Sequence, residues 1–577
     1  MDDVLAEHPA IPPEAPPRPG WWPPGPGTWV LDPSHVPRPL CRFTAAVFPE
    51  AFMQGFREGY ARYGSLIEAT DAAVVAGFLY HRLRLVGTPV RSGSAPTEEG
   101  FRRLLEEVPA VQERVATARA ALAERRWRAD LDAWDTAVKP AMQALHRALS
   151  AVNVRTVDDP GLSHLVDRCA EALAEAYVQH HRFDAAALLP VGDLVVQTVR
   201  WTGLSPAEVL GCLAGASPVT EGAPDELAEL VEALRQDGDA VAPVLDEWLP
   251  AEETLSRLLG WREPVGPRTA AYLGALAALP VDGQDVVAEP GSLEAPELVL
   301  DRLRWALEPT GRPVADAAEE VTARVRAAVP AEARAQFDDL LAEARLVYRL
   351  RDERTVHADR LLGHVTRAAV LEAGHRLHGR GALDQPEDAV DLTPDELRLH
   401  LLEGRGPTRE EVAERVRWRR TATYRDMPAV LGPPPSGPVP ASWLPPEAAR
   451  VHEAVSFAIA AMLRDAGRPP GDRTVSGLSV SSGSYEGTAR VLTGSSELSR
   501  VRAGDVLVTP TTGPAFNLAL PRLGAIVTDR GGLLSHAAIV AREFGVPAVV
   551  GCQDATTRIP DGALVRVDGA TGTVTLL

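Results

Sequence analysis

The chain has 577 residues, is 45% hydrophobic, and carries a formal net charge of -20 with a pI near 5.2. Single cores stop growing near roughly 250 to 300 residues, so two or three domains are expected. Nucleic-acid binding relies on Lys and Arg displacing phosphate counterions, which this charge opposes, and no charge-free apolar run approaches the ~20 residues of a membrane span.

The beginning, MDDVLAEHPAIPPEAPP, is acidic and Pro-rich rather than a basic n-region followed by an apolar stretch, and the expectation is a soluble, cytoplasmic protein. Residues 1–44 are rich in Pro, Gly and Trp, which forbids long helices and predicts an irregular segment packed by its aromatics on the next domain. From residue 45 to about 430 the apolar residues recur three and four apart, as in FRRLLEEVPAVQERVATARAALAERRW, and predict a large, mainly α-helical domain. Residues 431–473 (LGPPPSGPVPASWLPPEAAR … GRPPGDR) read as a Pro-rich linker with one short helix, about 446–466. Short β-type runs follow over 474–577: GTARVL, DVLVTP, GAIVTD, PAVVG, ALVRVDG and TVTLL, with helical pieces near 514–520 and 535–544. Such alternation predicts a compact α/β domain. No repeat of fixed period is present.

The four cysteines, Cys41, Cys169, Cys212 and Cys552, form no CxxC pair, so buried free thiols are expected and no metal site is suggested. The single lysine, Lys139, has no Gly-rich turn beside it, which removes a phosphate loop and leaves little for Schiff-base chemistry.

Chemistry concentrates in TDRGGLLSHAAIVAREFGVPAVVG, residues 528–551. A strand ends at Thr528 and Asp529, and Arg530-Gly531-Gly532 permits a tight turn. Ser535 is a natural N-cap, placing His536 at a helix N-terminus. Free backbone N–H groups and the helix dipole there stabilise an anion by roughly 0.3 to 1 kcal/mol, and the same dipole disfavours imidazolium. A phosphoryl group on that imidazole is therefore a sensible cargo. A capping or core histidine is the competing reading.

The surrounding residues decide between the two. Thr528, two variable residues, Gly531-Gly532, two more, then Ser535-His536-Ala537-Ala538-Ile539-Val540-Ala541-Arg542-Glu543 and the trailing GVPAVVG closely resemble the motif of the PEP-utilising enzyme family, which includes PEP synthase, pyruvate phosphate dikinase, rifampicin phosphotransferase and phenylphosphate synthase. The likeness extends over about residues 474–577 and implies a small swivelling β/β/α domain in which His536 carries the phosphoryl group. Thr528, Gly531, Gly532, Ser535 and Arg542 are the motif residues that support the phosphoryl site. Arg542 lies six residues on, roughly 120° off the His536 face and about 9 Å further along an ideal helix, which favours a structural or docking role.

In that family the swivelling domain works with an ATP-grasp nucleotide domain. Residues 45–424 read as helices without a Gly-rich loop, so the resemblance implies a stand-alone form, with ATP and Mg2+ bound by a separate ATP-grasp partner. No eightfold strand and helix alternation appears, which argues against PEP or pyruvate as second substrate. Two segments are faintly similar to the family's helical substrate domains: DPSHVPRPL, 32–40, and VYRLRDERTVHADRLL, 347–362. In the second, Arg351, Asp352 and His357 are candidates to bind and deprotonate an acceptor hydroxyl, beside the alternative of a solvated charged face. His35 is a further candidate, whereas His180-His181 and RVRWRR, 415–420, read as ordinary helix surface. The function these features imply is a dikinase-type phosphotransferase subunit, moving phosphate from ATP through His536 to a small-molecule hydroxyl and leaving AMP and phosphate. The rival is a non-catalytic phosphocarrier or regulatory protein.

Overall fold

The structure is a computed structural model that describes residues 22–86, 97–217, 224–246, 248–276, 285–294, 296–307, 314–434, 439–463, 474–513, 516 and 522–577. The first 21 residues, the linker stretches 435–438 and 464–473, and most of the helix expected near 514–520 lie outside the described residues. The chain divides into two units, residues 1–193, 285–288 and 353–458, and residues 194–284, 289–352 and 459–577. No helix among the described residues is long and apolar enough to cross a membrane.

The first unit is built on the helix Arg42–Arg62, which packs lengthwise on the helix Asp159–Arg182. Gly55 and Gly59 permit that approach: a Cβ at either would stand 2.2 Å from the Val178 carbonyl oxygen or 2.4 Å from that of Arg182. Cys41 caps the helix, and its backbone N–H also donates to Asp285 Oδ2 at 2.6 Å while Thr44 Oγ1 donates to Asp285 Oδ1 at 2.6 Å. A carboxylate at the positive end of a helix is favourable, and it ties the short segment 285–288 into this unit. All four cysteines are buried free thiols.

The segment expected to be irregular and the region expected to be helical together hold a four-stranded antiparallel sheet, in the order β2-β3-β1-β4: β1 Trp29–Leu31, β2 Ile67–Val75, β3 Phe78–Leu85 and β4 Val430–Leu431. The β2-β3 hairpin turns on Ala76 and Gly77, both at positive φ, as a two-residue turn matched to strand twist requires. Its sequence, IEATDAAVVAGFLYHRLRL, alternates only partly, because burial runs along both sides of β2, and the period-two signal is blurred. Register pairs Val30 with His81 and Leu31 with Tyr80, so the chain leaving β1 enters the turn Asp32–His35 beside β3.

In the second unit the C-terminal residues form an eight-stranded mixed sheet in the order β5-β12-β11-β7-β8-β9-β10-β6. The strands are β5 Thr474–Ser476, β6 Leu478–Ser481, β7 Ser484–Val491, β8 Val506–Thr509, β9 Ala525–Thr528, β10 Ala548–Val550, β11 Leu564–Asp568 and β12 Thr573–Leu576. The run β7-β8-β9-β10 is parallel and its flanks are antiparallel. Every residue of β8, β9 and β10 is buried, as parallel strands covered on both faces must be. One face packs Leu507, Ile526, Ala548 and Val550 against Ala537, Ala538, Val540 and Ala541 of the helix His536–Glu543. The other face packs Val506, Val508, Val527 and Val549 with Ala555, Ile559 and Val565. All six strands read from the sequence are present, and the weakly patterned TVSGLSVS adds β5 and β6. The rest of the unit is helical, with Pro224–Gln236, Ala251–Leu259, Val265–Leu276 and Pro296–Leu307 sharing one apolar core. The fold class is a large helical region joined to a small α/β domain.

Candidate functional site

β9 delivers its last residues directly to the site. Thr528 is fully buried and its hydroxyl donates to the Arg530 carbonyl at 2.7 Å, so it shapes the turn rather than facing a phosphoryl oxygen. Asp529 is held by Thr556, whose backbone N–H donates to Oδ1 at 2.8 Å. Gly531 sits at φ 127°, and a Cβ there would stand 2.7 Å from Ser535 Oγ. That oxygen accepts from the Ala538 N–H, capping the helix that opens with His536. Gly532 is buried in the same turn, and its carbonyl accepts from the Ser535 N–H at 3.0 Å.

His536 is half-buried at the helix start, and its Nδ1 lies 2.9 Å from Thr512 Oγ1. Sequence reasoning missed Thr512, which follows β8 in the segment Thr511-Thr512-Gly513 and lies 24 positions before the histidine. Parallel pairing of β8 with β9 is what brings the two together.

Arg542 and Glu543 occupy the last turn of the same helix, about 10 Å from its first residue at 1.5 Å per residue. Arg542 is buried and donates to the Val480 carbonyl at 3.4 Å, and burial lowers its pKa. Glu543 accepts the Gly215 N–H at 2.5 Å, and burial, opposed by that bond and by Arg542, pushes its carboxyl up to about 7. Arg542 therefore does not support a phosphoryl group on His536.

Among the acceptor candidates, Arg351 and Asp352 fall in one unit and His357 in the other. Arg351 and Asp352 lie in the second unit, where Arg351 Nη2 donates to Asp352 Oδ1 at 2.5 Å and Ser217 Oγ donates to Asp352 Oδ2 at 2.5 Å. Both act electrostatically on Glu543, at the end of the helix remote from His536. His357 lies in the first unit, half-buried, its pKa lowered by burial against the opposing charge of Glu353. A π-helical turn, Thr355–Arg360, begins between Asp352 and His357. It turns Asp359 and Arg360 into the interior.

His35 is different. Asp32 is buried, with 4% of its side chain exposed, and His35 beside it is 42% exposed. Asp32 Oδ2 lies 2.9 Å from His35 Nδ1 and 3.0 Å from His81 Nε2, and Oδ1 accepts the backbone N–H groups of Ser34 and His35. Burial alone raises the Asp32 pKa, but the two imidazoles hold it well below the usual carboxylate range, and Asp32 in turn raises that of His35. His180 and His181, read as helix surface, belong to the same region. His180 Nδ1 lies 2.6 Å from Asp359, and His181 Nδ1 lies 2.9 Å from Asp184, whose other oxygen takes Arg354. Burial pushes His181 down to about 4 despite Asp184, so the ring is neutral near pH 7. The segments around Asp32 and Arg354, picked out in sequence, therefore do supply one cluster, which includes the candidate His35 but not Arg351, Asp352 or His357. The signal overlooked was the spacing His180, His181, Asp184 at the end of a helix. The ligand atoms of those three lie within 4.8 Å of one another, but a guanidinium on Asp184 competes with any cation there.

Comparison with known proteins matches residues 501–572 to the family described as PEP-utilising enzyme, mobile domain. The chain is 34% identical over 213 residues to a rifampicin phosphotransferase of Streptomyces, covering 37% of this chain and 22% of that protein. It is 31% identical over 228 residues to an uncharacterised phosphotransferase, YvkC, of Bacillus subtilis, covering 40% of this chain and 26% of the relative. A probable phosphoenolpyruvate synthase of Archaeoglobus fulgidus is 50% identical over 98 residues, 17% of this chain and 13% of that protein. The matched segments thus span about a quarter or less of these relatives. The histidine, capped, held at Nδ1 and set on a mixed sheet, thus lies within the segment that is similar to the mobile domain of PEP-utilising enzymes.

Proposed function

We propose that this chain is a phosphotransferase in which His536 receives a phosphoryl group derived from ATP and passes it to a hydroxyl of an organic acceptor. The observation that carries the reading is the placement of His536 at a capped helix N-terminus with Nδ1 engaged by Thr512. With the ring proton on Nδ1 shared with Thr512 Oγ1, the Nε2 lone pair is the nucleophile, and the helix N–H groups compensate the charge that arrives. The similarity to a rifampicin phosphotransferase supports an organic compound as acceptor.

ATP and Mg2+ belong on an ATP-grasp partner, and the reaction is of the dikinase kind, releasing AMP and phosphate. Lys139 supports that division of labour, since its ammonium is already committed to Asp135 at 2.9 Å and Glu353 at 2.7 Å. The test is acid-labile, base-stable labelling from Mg-ATP in the presence of the partner. One phosphoryl group per chain is expected, and labelling that persists in His536→Ala would overturn the reading.

A further inference from the structure

A corner between two helices of the first unit gathers nitrogen and oxygen atoms of the kind that ligate a transition metal. His180 and His181 occupy the last turn of the helix Asp159–Arg182, Asp184 opens the next helix, and Asp359 comes from the π-helical turn Thr355–Arg360. All four residues belong to the same unit. One ring nitrogen of each histidine and one oxygen of Asp184 lie within 4.8 Å of one another, and the two imidazole rings stand 4.6 Å apart, centre to centre. His181 Nδ1 and Asp184 Oδ2 are separated by 2.9 Å, a span that an ion bonded to both at about 2.0 to 2.2 Å bridges.

Hydrogen bonding does not account for this grouping. His180 Nδ1 lies 2.6 Å from Asp359 Oδ2, yet that nitrogen and the other oxygen of Asp359 are buried and make no hydrogen bond. The hydroxyl of Tyr177, a residue 4% exposed and in the field of Asp359, makes none either. Buried polar atoms are ordinarily satisfied, and an ion held among them is a ready partner. The setting also favours positive charge. The C-terminal end of a helix is the negative end of its dipole, and two carboxylates, Asp184 and Asp359, face a single guanidinium, that of Arg354. Arg354 takes Oδ1 of Asp184 and leaves Oδ2 toward His181, so it weakens the attraction for a cation without closing the site. Phe52, its ring 4.4 Å from that of His181, and Phe48, at 6.0 Å, form an apolar wall beside the group.

We propose that His180, His181 and Asp184, with Asp359 as the fourth group, form a binding site for a divalent transition-metal ion of the zinc kind. Two imidazoles with carboxylates suit Zn2+, whereas Mg2+ and Ca2+ favour oxygen ligands. Each of the four side chains is 16% exposed or less, and a closed set of four protein ligands marks a structural rather than a catalytic ion. The ion ties the corner between two helices to the π-helical turn. The inference makes no use of His536.

The experiment uses the full chain, stripped with EDTA and exchanged into metal-free buffer. Calorimetric titration with zinc chloride is expected to show one site per chain, and the melting temperature should climb with free Zn2+, as binding to the folded state alone requires. His181→Gln should abolish the site and Asp359→Asn should weaken it about tenfold or more, whereas His146→Gln, in the separate helix Lys139–Ser150, should bind as the wild type does. Circular dichroism of the stripped variants reports their folding, and Asp359→Asn decides alone if His181→Gln does not fold. A wild-type chain without a Zn2+ site overturns the proposal. So does Mg2+ binding as tightly as Zn2+, or wild-type affinity for Zn2+ in the folded His181→Gln or Asp359→Asn variant.

Discussion

At the scale of single residues, the site depends on two groups far apart in sequence, His536 and Thr512. A hydrogen bond between them contributes about 1.4 kcal/mol to holding the ring in one tautomer, worth about tenfold in rate. Thr512→Val is therefore expected to slow phosphorylation of His536 about tenfold with little change in stability, and Thr512→Ser to restore most of it, measured as the initial rate of labelling. Asp529 supplies a stability prediction of the same kind. It is buried and bonded by Thr556, so Thr556→Val leaves a buried carboxylate short of partners at a cost of about 1 to 3 kcal/mol, read as a fall in melting temperature. The placement of His536 was legible in sequence because one contiguous segment holds strand end, turn, cap and histidine. Thr512 was not, because only strand pairing brings it near.

Elements set the geometry that those residues use. The Gly531 turn is strained for any L side chain at φ 127° and has Ser535 Oγ in the way, so Gly531→Ala should loosen the cap and lower both stability and labelling. A thermal melt no different from wild type would contradict this. The last turn of the same helix is pH-sensitive. Glu543 has a folded pKa of about 7, above its ordinary 4.5, so the native state holds a proton that the unfolded chain releases. Its contribution is fully present below about pH 4.5 and is lost as pH rises through about 7, with an upper bound near 3 kcal/mol. Glu543→Gln keeps an acceptor for the Gly215 N–H, and it should flatten the decline in melting temperature across that range. The helices themselves were readable from their period, yet the π-helical turn Thr355–Arg360, which buries Asp359 and Arg360, was not. A period assumed constant cannot report one extra residue in a turn.

For the whole molecule, Lys139 is spent on an ion-paired structural role, and the isolated chain is expected to show no heat of Mg-ATP binding in calorimetry, with loading of His536 appearing only when an ATP-grasp protein is added. Micromolar binding by the chain alone would reverse that division. The sequence by itself determined the α/β character of the C-terminal domain, its six principal strands, the place of His536 at a capped helix start and the burial of the four thiols. These follow from local patterns: apolar runs bounded by glycine, a cap preceding a helix, and cysteines that form no CxxC pair. Tertiary structure alone decided which distant side chains meet. The register of β1 with β3 sets His81 against Asp32, and the packing of Arg42–Arg62 on Asp159–Arg182 places His181 beside Phe52. Each such meeting joins residues separated by tens to hundreds of positions, and contacts of that range are fixed by which faces bury together, a property that no local window of sequence contains.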